Sequence, residues 1–387
     1  MTKTLEDIAK QLRDTNKKVQ LIYAFNGTGK TRLSRAMKKL IAPKIEGDNT
    51  PARNRILYYS AFTEDLFYWD NDLVDDLEYK LMIQPNSFVD WILEERGQEL
   101  NIVNNFQRYT SRTITPTFPG EAVVKIVDEK RINALTHKEI RFAYTGGSEI
   151  KNNVKVSKGE ESNLIWSIFH ALLLEVNEIL KEPDPVKRDD NAYDQLEYVF
   201  IDDPVSSLDE NHLIELAIDL AGLISSSRFD NGLGVKYIVT THNPLFFNVL
   251  CKELKDAARY LLRKDAAGKY SLEAKNGAAN KSFAYHHHLI NELQKAISGN
   301  DVQKFHFNLL RNLYEKTANF LGYDHWTKLL STAPADRAEY LKKLTNHFSH
   351  RELSFEEVAE PTDIQKEDIA VLLENLINNY GYWKQEA

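Results

Sequence analysis

Along the first 275 positions, short unbroken apolar runs alternate with stretches in which apolar residues recur every three or four positions. The unbroken run at 19–25 predicts a strand buried on both faces, and strand-like stretches follow at 55–59, 122–127, 197–201 and 236–240. The helical spacing predicts helices over 30–40, 88–109, 163–180 and 211–224, with a charged loop over 183–190. The opening MTKTLEDIAKQL lacks the apolar core of a signal peptide and reads as a short amphipathic helix. Strands alternating with helices imply an α/β fold, a parallel sheet with helices on both faces. A turn-rich break, KNGAAN, follows at 275–280. Beyond it the pattern is helical, over 283–297, 302–321, 334–347 and 363–380. There is no internal repeat. The expected organisation is an α/β domain over 1–275 followed by a mostly α-helical domain over 276–387.

Composition adds little to this picture. Of 387 residues 42% are hydrophobic and 27% charged, which is ordinary for a globular chain. No run approaches the roughly 20 apolar residues of a membrane helix; the longest, 164–176, is interrupted by Ser167 and His170. No membrane association is expected, and the compartment expected is the cytoplasm. The single cysteine, Cys251, excludes an internal disulfide and a multi-cysteine metal site and is expected to pack. The net charge of −8 argues against a nucleic-acid partner until its distribution is read. Between 301 and 351 eight Lys/Arg stand against five Asp/Glu, with four histidines besides, whereas the stretch from 352 onward holds nine acids and two bases. Local field decides where a polyanion docks, so the helical domain stays open to one.

The chemistry begins with Asn26-Gly27-Thr28-Gly29-Lys30-Thr31, placed after a strand and opening a helix. Glycines let backbone N–H groups converge on phosphate oxygens at a helix N-terminus. Lys30 would reach the β- and γ-phosphates and Thr31 would ligate Mg²⁺. The usual pattern has glycine where this chain has Ala24. A second element is the apolar strand ending in Asp202 and Asp203. Asp202 is suited to the Mg²⁺ shell, with a second carboxylate, Asp203, directly after it. Pro204-Val205-Ser206-Ser207-Leu208-Asp209 follows at once. Thr240-Thr241-His242 closes a later strand, and Val156-Ser157-Lys158-Gly159-Glu160 precedes a helix between the two main motifs.

Together, and in this order, these motifs resemble the ABC superfamily. The resemblance makes His242 the switch histidine that senses γ-phosphate, 156–160 a degenerate signature using Ser157 and Gly159, and Asp209 part of the loop after the second motif. It implies ATP or GTP with Mg²⁺, and a head-to-tail homodimer sandwiching two nucleotides, since the signature of one subunit serves the other's nucleotide. The interval between Thr31 and Tyr198 shows no sustained heptads for a long coiled coil.

The helical domain offers Arg311 and Glu315, one turn apart, on a face shared with Lys304, Asn308 and Asn319, beside an apolar stripe of Phe305, Leu309, Leu313 and Phe320. Arg before Glu is the less favourable order for helix support, so stabilisation is a poor motive for the pair. Asn346-His347-Phe348-Ser349-His350 places two histidines three apart. The run His286-His287-His288 splays by about 100° per residue, which favours surface or RNA contact over one shared metal.

From VQLIYAFNGTGKTRLS through ILYYSAFTEDLFYWDND and FIDDPVSSLDENH to RNLYEKTANFLG and NHFSH, the chain resembles the PrrC-type anticodon nucleases. These join an ABC-type NTPase to a helical nuclease domain. The resemblance places a catalytic triad on Arg311, Glu315 and His347, with His350 the alternative to His347. It implies a tRNA substrate, typically lysine tRNA cut in the anticodon loop, and a nuclease held latent until phage infection, often in a type I restriction–modification complex. Metal-free RNA cleavage through the 2′-OH needs a base, an acid and a cation at the phosphorane. Glu315, His347 and Arg311 would supply them, with base and acid exchangeable, leaving a 2′,3′-cyclic phosphate and sparing DNA. The competing reading is a non-nucleolytic ABC-type NTPase of the RecF or SMC-like kind, a DNA-end sensor or scaffold, which gives Arg311, Glu315 and His347 no joint task.

Overall fold

The computed structural model describes residues 3–43, 54–60, 66–71, 78–84, 92–93, 96–110, 112–127, 130–146, 149–204, 210–230, 233–265, 268–275, 285–334, 361–380 and 382. The chain divides into two compact units, Met1–Asn280 and Lys281–Ala387.

The first unit opens with helix α1 (Leu5–Asp14), started by a reciprocal Thr4–Asp7 capping box, whose Leu5, Ile8, Ala9 and Leu12 are buried. Strand β1 (Val19–Tyr23) leads to helix α2 (Lys30–Ile41), and β2 (Ile56–Ser60) follows. Next come β3 (Phe67–Asp70), β4 (Lys80–Ile83), helix α3 (Glu99–Tyr109), β5 (Ile114–Thr117), β6 (Gly120–Val127), β7 (Lys130–His137), β8 (Glu139–Gly146) and β9 (Glu149–Lys151). Helix α4 (Lys158–Leu180) precedes β10 (Tyr198–Asp202) and α5 (Glu210–Ser226). The unit ends with the hairpin β11 (Phe229–Asp230) and β12 (Leu233–Gly234), then β13 (Lys236–Thr241), α6 (Pro244–Glu253), β14 (Ala258–Lys264) and β15 (Tyr270–Ala274).

The main sheet runs β15-β14-β1-β13-β10-β2 and is parallel except for β15. Its middle strands β1 and β10 are buried at every position, which is why they read as unbroken apolar runs. Register sets Tyr23 beside Thr241, and both Thr240 and Ser60 beside Asp202. The strand C-terminal ends therefore bring the phosphate loop, Asp202 and the His242 turn to one edge. One face is closed by α1 and α2, through a cluster of Leu12, Leu33, Met37, Phe200 and Ile238. On the other, Tyr59 of β2 packs on Trp166 and Phe169 of α4, with ring centroids 5.5 and 4.8 Å apart.

Three sequence expectations change here. The helix expected over 88–109 is interrupted at 96–98, where Gly97 adopts φ +58°; Glu99–Tyr109 forms α3, while 88–91 and 94–95 lie outside the described residues. A second, antiparallel sheet of order β3-β4-β8-β5, with β9 on β8 and a separate β6–β7 hairpin, lies between the motifs. Helix α4 spans 23 residues and is by length and composition able to cross a membrane, unlike the interrupted run expected. It is instead mostly buried, with Leu164, Trp166, Phe169, Leu172 and Leu173 all enclosed.

The second unit holds α7 (Tyr285–Ser298), α8 (Lys304–Leu321), a 3₁₀ segment (Trp326–Thr332) and α9 (Asp363–Asn379) around Leu293, Leu310, Leu313, Trp326, Leu329, Leu372 and Leu376. The helix expected over 334–347 lies, beyond residue 334, outside the described residues. Of the apolar stripe expected on α8, Leu313 is buried and Leu309 packs against the core, whereas Phe305 is 51% and Phe320 86% exposed. Phe307, Leu310, Leu313, Tyr314 and Ala318 form a fuller stripe, and it takes the core.

Buried Asn177 of α4 donates to the Leu223 carbonyl at 2.9 Å and accepts from the Tyr237 hydroxyl at 3.0 Å, joining two helices to β13. Asn177→Ala removes both bonds, leaving the Tyr237 hydroxyl to Ser227 and the Leu223 carbonyl unbridged, and should cost about 1–3 kcal/mol in urea unfolding; a change within error would show that the bridge contributes nothing.

Candidate functional site

The phosphate loop owes its shape to Gly27 and Gly29, at φ +76° and +107°. Gly29 also admits no side chain easily, since a Cβ there would lie 3.3 Å from the Tyr270 hydroxyl. Ala24, in the place of the usual first glycine, is fully buried and ties the loop to β13 by donating to the Thr241 carbonyl at 2.9 Å. No side chain caps α2 at Gly29, so its first-turn N–H groups are not claimed by a cap. Lys30, 8% exposed, folds back over its own loop to the Ala24 carbonyl (3.3 Å) and Asn26 Oδ1 (3.1 Å), and pairs with Asp203 Oδ2 at 3.3 Å.

Asp202 is 2% exposed and accepts three hydroxyl hydrogen bonds. Thr31 Oγ1 reaches Oδ2 at 2.7 Å, Thr240 Oγ1 reaches Oδ1 at 2.7 Å, and the Tyr58 hydroxyl reaches Oδ2 at 3.1 Å. Burial lifts the Asp202 carboxyl above the usual range, and the three hydroxyls oppose that lift. Burial, with the neighbouring Asp202 charge, pushes the Tyr58 phenol up to about 12.

Asp203 sits at φ +53°, a backbone region that non-glycine residues enter rarely. Its Oδ2 lies 2.6 Å from His242 Nδ1, and its Oδ1 accepts from His242 N and Thr241 Oγ1, each at 3.3 Å. Burial acts to raise its carboxyl, but the His242 bond and the Lys30 charge prevail and hold it below the usual range. Lys30 and His242, the two groups expected to meet a γ-phosphate, thus converge on one carboxylate.

These features fit a nucleotide with Mg²⁺. Uncapped N–H groups and a buried ammonium suit phosphate oxygens, and the hydroxyl–carboxylate pair of Thr31 and Asp202 supplies hard oxygen donors. The structure gathers Asn26, Lys30, Thr31, Asp202, Asp203 and His242. Among the described residues, Ser157 and Gly159 make no hydrogen bond to that group; Ser157 exchanges bonds with Glu160 in a capping box at the start of α4. Asp209 lies outside the described residues. Two members were missed in the sequence, Tyr58 and Thr240. Tyr58 belongs to no motif; only the sheet order, which seats β2 beside β10, brings it in. A cavity of about 440 Å³ lies at the opposite strand ends, by Tyr198 and Lys236, away from this chemistry.

In the second unit Arg311 Nε donates to Glu315 Oε1 at 2.7 Å along α8. The side chains are 20% and 41% exposed, flanking the core stripe of Phe307, Leu310, Leu313, Tyr314 and Ala318. His347 and His350 lie outside the described residues, as do the side chains of His287 and His288; the His286 ring is 6.3 Å from that of Tyr382. Among the described residues no three His, Cys, Asp or Glu cluster as a metal site. Burial pushes the Cys251 thiol up to about 11, away from nucleophilic use.

The Asp203 geometry makes a pH prediction. A carboxyl held below its unfolded value stabilises the fold above the ordinary carboxylate range, and that contribution is lost as pH falls through the lowered value. Asp203→Asn, which suits a positive φ, should therefore cost about 2 kcal/mol at pH 7 in denaturant unfolding. The difference from wild type should shrink toward pH 3; one independent of pH would contradict the ion-pair account.

Comparison with known proteins places these units in context. A family model described as an AAA domain matches residues 184–377, taking in β10, the His242 turn and most of the second unit. Two solved structures align more weakly. They are an Smc head domain with a coiled coil and joint from Pyrococcus yayanosii (10% identity, 47% of this chain and 27% of that one, TM-score 0.28) and an SmcHead bound to the C-winged helix domain of ScpA (10%, 68% and 91%, TM-score 0.33). Scores that low carry no argument, and the α/β assignment rests on the sheet itself. A curated Escherichia coli protein named anticodon nuclease is 49% identical over 414 aligned positions, covering 100% of this chain and 99% of the relative. The chain therefore belongs to the anticodon nuclease family.

Proposed function

We propose that this chain is a nucleotide-regulated endoribonuclease that cuts tRNA in the anticodon loop. The full-length match to an anticodon nuclease carries the reading, and the close Arg311–Glu315 pair agrees with it. In the first unit, ATP or GTP binds at Asn26–Thr31 with Mg²⁺ held by Thr31 and Asp202. Asp203 orients the attacking water and His242 meets the γ-phosphate. Two copies associate head to tail, Ser157 and Gly159 of each serving the nucleotide of the other, with Asp209 in the same interface.

The second unit cuts RNA without a metal. Glu315 takes the proton of the 2′-OH, the 2′-oxygen attacks phosphorus, and the bond to the 5′-oxygen breaks as His347 (or His350) protonates it. Arg311 neutralises the phosphorane, and a 2′,3′-cyclic phosphate remains. Glu315 and the histidine can exchange the acid and base roles. The substrate is lysine tRNA, the setting is cytoplasmic antiphage defence, and a type I restriction–modification complex holds the nuclease silent.

Purified full-length protein is incubated with total tRNA and Mg²⁺–nucleotide, excess EDTA is added after activation, and fragment ends are mapped. Wild type should give anticodon-loop cuts ending in cyclic phosphate. Arg311→Ala and Glu315→Gln should lose at least about a hundredfold in cleavage while hydrolysing nucleotide as before. Wild-type cleavage by folded Glu315→Gln would overturn the assignment.

A further inference from the structure

We propose that Tyr58 is a positioning residue for the nucleotide's metal, holding Asp202 in the orientation that receives Mg²⁺. This rests on the reading that Mg²⁺–nucleotide binds at Thr31 and Asp202.

The geometry starts from the sheet. Tyr58 pairs with Phe200 across β2 and β10, and Ser60 pairs with Asp202. Side chains two residues apart share a face, and two residues span roughly 6–7 Å of strand. A tyrosine lying forward along the strand therefore delivers its hydroxyl to Asp202, and it does so at 3.1 Å. The ring is fixed beneath, its centroid 6.2 Å from that of Phe200, within the cluster that includes Leu33 and Met37 of α2.

Asp202 is a buried carboxylate whose orientation depends on its donors. Of its three, Thr31 is the residue that also ligates the metal, and its hydroxyl must then serve the ion as well as Asp202. Tyr58 and Thr240 carry no such second duty. They grip opposite oxygens, Oδ2 and Oδ1, and fix both the tilt and the rotation of the carboxylate. Partners behind a ligand orient it, and losing one typically costs about tenfold to a hundredfold in metal affinity, whereas Tyr58 makes no contact with the phosphate loop's N–H groups or Lys30 among the hydrogen bonds of the described residues. Tyr58 should thus separate metal affinity from phosphate affinity.

The test uses full-length Tyr58→Phe, which keeps the ring and its packing and removes only the hydroxyl. Calorimetry measures ATP, and GTP in parallel, with excess Mg²⁺ and with excess EDTA, alongside thermal unfolding. Affinity for the Mg²⁺ form should fall by about tenfold or more, while metal-free affinity stays as in wild type and the unfolding transition shows the variant folded. An unchanged ratio between the two affinities would overturn the proposal. So would an equal fall in both, which would make Tyr58 a packing residue for α2. If wild type itself binds nucleotide no better with Mg²⁺ than without, the metal reading of Thr31 and Asp202 fails, and this inference with it.

Discussion

Two adjacent carboxylates at the end of a fully buried strand are the constraint around which the first unit is arranged. A buried carboxylate is costly unless hydrogen-bonded or paired. Asp202 is satisfied by hydroxyls from three elements, α2, β2 and β13. Asp203 is satisfied by a cation from the phosphate loop and by the turn after β13. Meeting both demands requires β1, β13, β10 and β2 in this order and register. The positive φ of Asp203 turns the chain so that neighbouring side chains serve different partners. Fold and phosphate chemistry thus have one cause.

The second unit satisfies its charges differently. Its core stripe on α8 is apolar, and the Arg311–Glu315 pair flanks it, partly exposed. A pair in that setting contributes a few tenths of a kcal/mol to the helix. The stability of the unit comes instead from packing around Leu310, Trp326 and Leu372 and from Asn375, which bonds Tyr314.

Much of this was legible in the sequence where one local rule sufficed. The buried runs of β1 and β10, the glycines of the phosphate loop and the helices flanking 298–304 announce themselves by pattern alone. The second sheet is harder to read, because β8 is a half-buried strand, Ile140 and Phe142 buried and Glu139, Arg141 and Ala143 partly exposed, without the unbroken apolar run that marks β1 and β10. On α8 the expected stripe holds at Leu309 and Leu313 and fails at Phe305 and Phe320, because only tertiary packing selects between Phe305 and Phe307. Tyr58 was illegible for a third reason. Its role depends on which strand neighbours β10, a long-range fact that no local spacing encodes.

The central claim is that the phosphate site of the first unit governs RNA cleavage by the second, and Lys30→Ala tests it most directly. Cleavage of tRNA by the full-length variant would be measured across a nucleotide titration, with calorimetry to verify that nucleotide binding is lost. Cleavage that no longer responds to nucleotide, although Arg311 and Glu315 are intact, is the predicted result. A variant that cannot bind nucleotide yet cuts tRNA with the wild-type nucleotide response would contradict the account.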